Sequence, residues 1–139
     1  MEVIVVFGWR EINNITIVIG SGTTFTHLVH FCAQEDNTTI CIGQDSMFSN
    51  TITIRTSDSH PIYDLSNNLM INSAQDVFVG YHVWIVPGSK VRKGTKIGDN
   101  SIIGSNSMVT REIPNNCLAV GAPCKVVKTN ISWTREKIF

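Results

Sequence analysis

Residues 79–114 read VGYHVW IVPGSK VRKGTK IGDNSI IGSNSM VTREIP when written in sixes, and the first column, Val79, Ile85, Val91, Ile97, Ile103 and Val109, is aliphatic throughout. Leu, Ile and Val make up about a quarter of the chain, so six such hits in a row arise by accident with odds on the order of one in a few thousand. The fifth column, Val83, Ser89, Thr95, Ser101, Ser107 and Ile113, is small or β-branched. A period of six fits neither the turn of an α-helix nor strands alternating between hairpins. Short strands joined by tight corners fit it. Three units close a triangular turn whose aliphatic residues point into a narrow interior, and residues 18 apart stack: Val79 on Ile97, Ile85 on Ile103, Val91 on Val109. Gly80, Gly88, Gly94, Gly98 and Gly104 are expected to supply the corner conformations.

The pattern extends towards the N-terminus through the units starting at Ile42, Phe48 and Ile54, and Ile19 opens a less regular stretch, so the coil is expected to begin near residue 12. Between Ile54 and Val79 the spacing is 25, which is not a multiple of six. An excursion from the coil is therefore expected between His60 and Asp76, and such loops are where function concentrates. The reading is all-β: one parallel β-helix domain over residues 1–139, a protruding loop at about 60–77 and a C-terminal segment at about 115–139. Within that segment, residues 130–139 are expected to form a short helix or strand over the last coil, with Trp133 and Phe139 as packing residues.

With 139 residues and a 42% hydrophobic share the chain fits one domain. Lys+Arg and Asp+Glu are equal at 11 each, which argues against a nucleic-acid partner, because phosphate-backbone binding normally goes with excess positive charge. The apolar run Val3 to Phe7 stops at Gly8-Trp9-Arg10, far short of the roughly 20 residues of a membrane helix, so no integral membrane segment is expected and a cytoplasmic location is. Cys32, Cys41, Cys117 and Cys124 have no close-spaced pair, and His27 and His30 have no ligand-like neighbour. Reduced thiols and packed or surface histidines follow, with no metal site.

Two further motifs are specific. TSDSHP, residues 56–61, resembles the segment that carries the catalytic histidine of the hexapeptide-repeat acyltransferases just before a protruding loop. IGSNSMVTREIP, residues 103–114, followed by VGAPCKVVK, residues 120–128, resembles the CoA-binding end of the same enzymes. Within the family the chain is most similar to the polysialic-acid and capsule O-acetyltransferases, because SHPIYD at 59–64 is followed by HVWI at 82–85, which puts Trp84 24 residues after His60. The resemblance covers residues 40–128 well and the first 40 loosely.

The resemblance implies a left-handed β-helix, a hand that spacing does not give, since parallel crossovers are otherwise usually right-handed. It implies acetyl transfer from acetyl-CoA to a hydroxyl of a sugar or surface polysaccharide, with His60 as general base and no covalent enzyme intermediate; histidine suits the role because it titrates near neutrality. His60 and Trp84 would be the active-site pair, and the pleat turns Trp84 outward, where sugar, CoA or a neighbouring subunit would cover it. His82 is expected to face outward as a solvent or interface residue. Asp58, two residues before His60 in an extended segment, would lie on the same side and orient the imidazole, a job a backbone carbonyl does equally well. For CoA, Ser105 would contact the pantetheine, Thr110 and Arg111 the adenine end, and Lys125 and Lys128 the phosphates. The family implies a homotrimer with active sites between subunits.

Two positions depart from the family pattern: Val86-Pro87 stands where relatives have glycine after Trp-Ile, and Met70 where many carry a basic residue. N-acetylation of an amino sugar, a γ-type carbonic anhydrase and a non-catalytic scaffold are the alternatives; the carbonic anhydrase needs a zinc-binding histidine set for which the sequence offers no His-x4-His pair.

Overall fold

The computed structural model describes residues 3–6 and 11–139. Phe7 to Arg10, the end of the apolar opening run, lie outside the described residues. β1 (Val3–Val6) leads into a coil that visits three sheets in rotation. Its successive turns are β2 (Thr16–Ile19), β3 (Thr24–Phe25) and β4 (Val29–Cys32), then β5 (Thr39–Ile42), β6 (Met47–Phe48) and β7 (Ile52–Arg55). A hairpin, β8 (Tyr63–Asp64) and β9 (Leu69–Met70), interrupts the rotation. It resumes with β10 (Val77–Val79), β11 (Trp84–Ile85) and β12 (Lys90–Val91), then β13 (Lys96–Ile97), β14 (Ile102–Ile103) and β15 (Met108–Val109). β16 (Leu118–Gly121) and β17 (Cys124–Lys128) end the regular structure.

Face 1 is β2-β5-β10-β13, face 2 is β3-β6-β11-β14-β16-β17 and face 3 is β1-β4-β7-β12-β15. Within the faces every pair is parallel except β16–β17. The expected stack is observed: Val79 pairs with Ile97, Ile85 with Ile103 and Val91 with Val109. These rungs are at most 3% exposed and belong to one continuous core. The fifth-column hydroxyls are buried as well, and each donates to a corner carbonyl: Ser89 to Gly104 at 2.9 Å, Thr95 to Val109 at 3.0 Å, Ser101 to Pro114 at 2.7 Å. A small hydroxyl fits the corner and satisfies a carbonyl of the next turn.

Three expectations need correction. The coil begins before residue 12, because β1 already pairs in parallel with β4, Val5 on Phe31. Of the five glycines, only Gly88 and Gly94 adopt positive φ; at the same fourth position other units use His82, Asn100 and Asn106. Gly98 serves close approach instead, since a Cβ there would meet Asn115 N at 2.5 Å and Pro114 C at 2.6 Å in the next turn. Finally, Ile113 is not a fifth-column residue: it bridges Ile97 as a rung, so the last turn is two residues shorter than its predecessors.

Ile103→Ala removes a fully buried rung with neighbours on both sides and is expected to cost about 2–5 kcal/mol in denaturant unfolding. Gly98→Ala is expected to destabilise by about 1–3 kcal/mol in the same measurement, because besides Asn115 Oδ1 the Cβ meets two backbone atoms that cannot swing aside.

Candidate active site

The excursion leaves face 3 at the end of β7 and is closed at its base by Gln75 N donating to Thr56 O at 3.0 Å. Thr56 and Ser57 are buried; Ser57 Oγ accepts from Ser59 N, and Ser59 turns the chain with φ of 72°. That turn breaks the extended geometry under which Asp58 and His60 would share a side. Asp58 does not meet the imidazole. Its carboxylate accepts from Arg92 at 2.7 Å and Asn72 at 3.1 Å and pairs with Lys93 at 2.7 Å. These partners, Lys93 foremost, hold its pKa below the ordinary aspartate value of 3.8 against the opposing effect of burial.

His60 is exposed, and its ring makes no hydrogen bond with the described residues. Its backbone is fixed: Asn72 Nδ2 donates to His60 O at 2.9 Å while Asn72 Oδ1 accepts from Ile62 N at 2.7 Å. Lys93 also donates to Asn72 O and Ser73 O, tying the return of the loop to the corner after β12. Beyond the tie the hairpin presents Leu65, Leu69, Met70 and Ile71 to solvent.

Trp84 points outward from β11 between buried Val83 and Ile85 and is half-buried. What covers it is Trp133 of the same chain, with ring centroids 5.7 Å apart. Residues 129–139 form neither helix nor strand, and they run back along the corner between faces 1 and 2 instead of capping the last coil. Ile131 bonds Asn116, Ser132 bonds Asn100, and Trp133 Nε1 donates to His82 O at 2.8 Å. Arg135 reaches Asp45, Thr24, Gly22 and Ser46. His82 is correspondingly not a solvent residue: its ring stacks on Trp133 at 4.0 Å, and its nitrogens meet Asp45 Oδ2 at 2.6 Å and Trp133 O at 3.0 Å. Trp133 is buried as expected, whereas Phe139 is 97% exposed and packs on no core residue.

The residues assigned to CoA gather at the other end. Ser105 lies at the corner after β14, where the tip of the β16–β17 hairpin docks through Gly121 N on Ser107 Oγ at 3.1 Å. Thr110 and Arg111 follow β15, and Lys125 and Lys128 lie on β17 opposite Val120 and Leu118. All five are exposed, and Arg111, Lys125 and Lys128 make no ion pair with the described residues. Within one chain His60, beyond face 3, and Trp84, on face 2, are not brought together.

The four cysteines are free, and three of them are buried. Burial raises the Cys124 thiol pKa. Among the described residues no group of three or more His, Cys, Asp or Glu converges as a metal site, and no helix is long and apolar enough to cross a membrane.

The fold is that of a hexapeptide-repeat transferase: residues 76–111 match the model of the bacterial transferase hexapeptide (six repeats). The chain is 36% identical over 119 residues to a polysialic acid O-acetyltransferase of Escherichia coli O1:K1, covering 86% of this chain and 38% of that protein. It therefore spans well under two thirds of the curated relatives it matches first. Among solved structures, the polysialic acid O-acetyltransferase OatWY superposes with a TM-score of 0.73 at 31% identity over 91% of this chain and 63% of that one. A maltose O-acetyltransferase from Clostridium difficile 630 gives 0.65 at 30% over 92% and 70%. The chain belongs to the hexapeptide-repeat acyltransferase family, and its coil is the left-handed parallel β-helix of that family.

Arg135→Ala is expected to free the C-terminal strap, seen as a red shift of tryptophan emission when Trp133 leaves His82. The lowered pKa of Asp58 means that its contribution to holding the loop is present above the ordinary carboxylate range and is lost as pH falls through the depressed value. Proteolysis of the loop should accordingly rise on acidification below pH 3.8, and Asp58→Asn should remove that dependence while raising cleavage at neutral pH.

Proposed function

We propose that this chain transfers acetyl from acetyl-CoA to a hydroxyl of a sugar or polysaccharide, with His60 as general base. The observation that carries the reading is an exposed imidazole with no partner among the described residues, on a backbone fixed by Asn72 at the root of a protruding hairpin. A ring so placed is available to an external alcohol and spends no hydrogen bond on the fold. His60 takes the hydroxyl proton as the oxygen attacks the acetyl carbonyl; the tetrahedral intermediate collapses with cleavage of the C–S bond, and the imidazolium returns the proton to the CoA sulfur. A backbone N–H stabilises the oxyanion, and Pro87 has none to offer. Asp58 acts as a positioning residue: it holds the His60 segment to Arg92 and Lys93 and leaves the ring alone.

Ser105, Thr110, Arg111, Lys125 and Lys128 receive CoA, with the two lysines as point charges for phosphate. Trp84 lines the acceptor side. Because His60 follows a strand of face 3 while Trp84 and the phosphate-binding Lys125 and Lys128 lie on face 2 of the same coil, the site is completed between copies in a homotrimer, an arrangement supported by the apolar hairpin surface that a lone chain leaves in water. The relatives' acceptors suggest a polysialic or other capsule-type glycan, and the cytoplasm, where acetyl-CoA is abundant, is the location this reading requires.

His60→Ala should lower the rate of CoA release with a competent glycan acceptor by about 10²–10⁴-fold without changing the circular dichroism. Retention of the full rate would remove His60 from the chemistry.

A further inference from the structure

The outer surface of face 3 holds a concavity of about 340 Å³ that neither the general base nor the CoA residues use. It is lined by His30, Thr53 and Lys90 in one cross-strand row, by the paired Cys32 and Arg55 beyond it, and by Val91 and Arg92. Two features make it chemically unfinished. Among the described residues, His30 Nε2 and Arg55 Nε are both buried without a hydrogen-bond partner, and an unsatisfied buried polar group is costly enough that most find one. Arg55 ends β7 and Arg92 directly follows β12, the strand paired with it, so two cations line one recess, where like charges repel. Among the described residues the carboxylate that reaches this group is Asp58, which binds Arg92 and Lys93 and leaves Arg55 without an ion pair. Charge is balanced over the whole chain, so this excess is local.

We infer that His30, Arg55, Lys90 and Arg92 form a binding site for an oxyanion carried by the acceptor, a sugar carboxylate or a sugar phosphate. The guanidinium fork and the histidine nitrogen supply donors that a carboxylate or phosphate accepts, in a partly desolvated recess where such bonds are strong. Arg92 links the recess to the catalytic segment, since Asp58 bridges Arg92 to Asn72 and Asn72 holds His60 O. An acidic sugar anchored there would be held beside the segment that carries the general base. The assignment of the anion to an acceptor rests on the acetyltransfer reading; the anion site does not.

The test is calorimetry on the intact protein without acetyl-CoA, using the methyl α-glycoside of N-acetylneuraminic acid, glucose 6-phosphate, methyl β-galactoside and CoA as separate probes. Binding of the carboxylate or the phosphate sugar, weakening with added salt and falling at least about tenfold in Arg55→Gln and measurably in the exposed Lys90→Gln, supports the site and tells the two sources apart. Equal binding of the neutral galactoside, unchanged affinity in both variants, or loss of CoA binding in Arg55→Gln would overturn it. A change of oligomeric state in Arg55→Gln, with no anion bound by the wild type, would assign the recess to a subunit contact and overturn it too. Anion binding without CoA release from any acceptor would instead sink the acetyltransferase reading and leave the site standing.

Discussion

Each turn of this coil sits on the one before it in fixed parallel register, and every other feature is referred to that stack. Aliphatic rungs such as Ile85, Ile103 and Ala119 lie over one another in the interior, and the hydroxyls of Ser89, Thr95 and Ser101 tie each corner to the next. Both contacts need one residue type at one position in every six. Burial supplies the driving force, while the hydroxyl bonds and the positive-φ fourth positions determine where the chain bends. The last turn keeps the register although it is two residues short, because Ile113 and Ala119 take over the rung positions.

Aliphatic rungs fill the interior of the coil, so chemistry falls to its surface and to departures from its period. The departures are the excursion after β7 and the segment after β17. The first is tied down by Asp58, Asn72 and Lys93 around a backbone that carries His60 outward. The second runs along a corner where Gly22, Asp45, His82, Asn100 and Asn116 form a column of positive-φ residues, and it uses their exposed carbonyls and side chains as docking points. Basic groups on face 3 and on the β16–β17 hairpin are kept apart by the width of the coil.

Much of this was legible in the sequence where the period is unbroken. The 18-residue stacking of Val79 on Ile97 follows from counting, and so does the excursion before Val79. In the early turns, Ile19 stacks on Ile42 across 23 residues, because Ala33 to Asn37 enlarge the corner, and that irregularity hid both β1 and the true start of the coil. Alternation puts Asp58 and His60 on one side only in an extended chain, and Ser59 between them is left-handed. The docking of Trp133 on His82 lies beyond local reasoning: the two are 51 residues apart in sequence and meet through backbone carbonyls, which no side-chain pattern announces. The recurrence of Asp45, His82, Asn100 and Asn116 at one position of the repeat was the available signal for that corner.

The central claim is that a site split across faces of one coil works only between copies. It is tested most directly by mixing two inactive forms, His60→Ala and the double variant Lys125→Glu with Lys128→Glu, refolded together from the unfolded state. Random assembly should pair an intact His60 with an intact hairpin in a neighbouring copy at about one quarter of the sites, restoring about one quarter of wild-type CoA release. A mixture as inactive as its components would contradict the account.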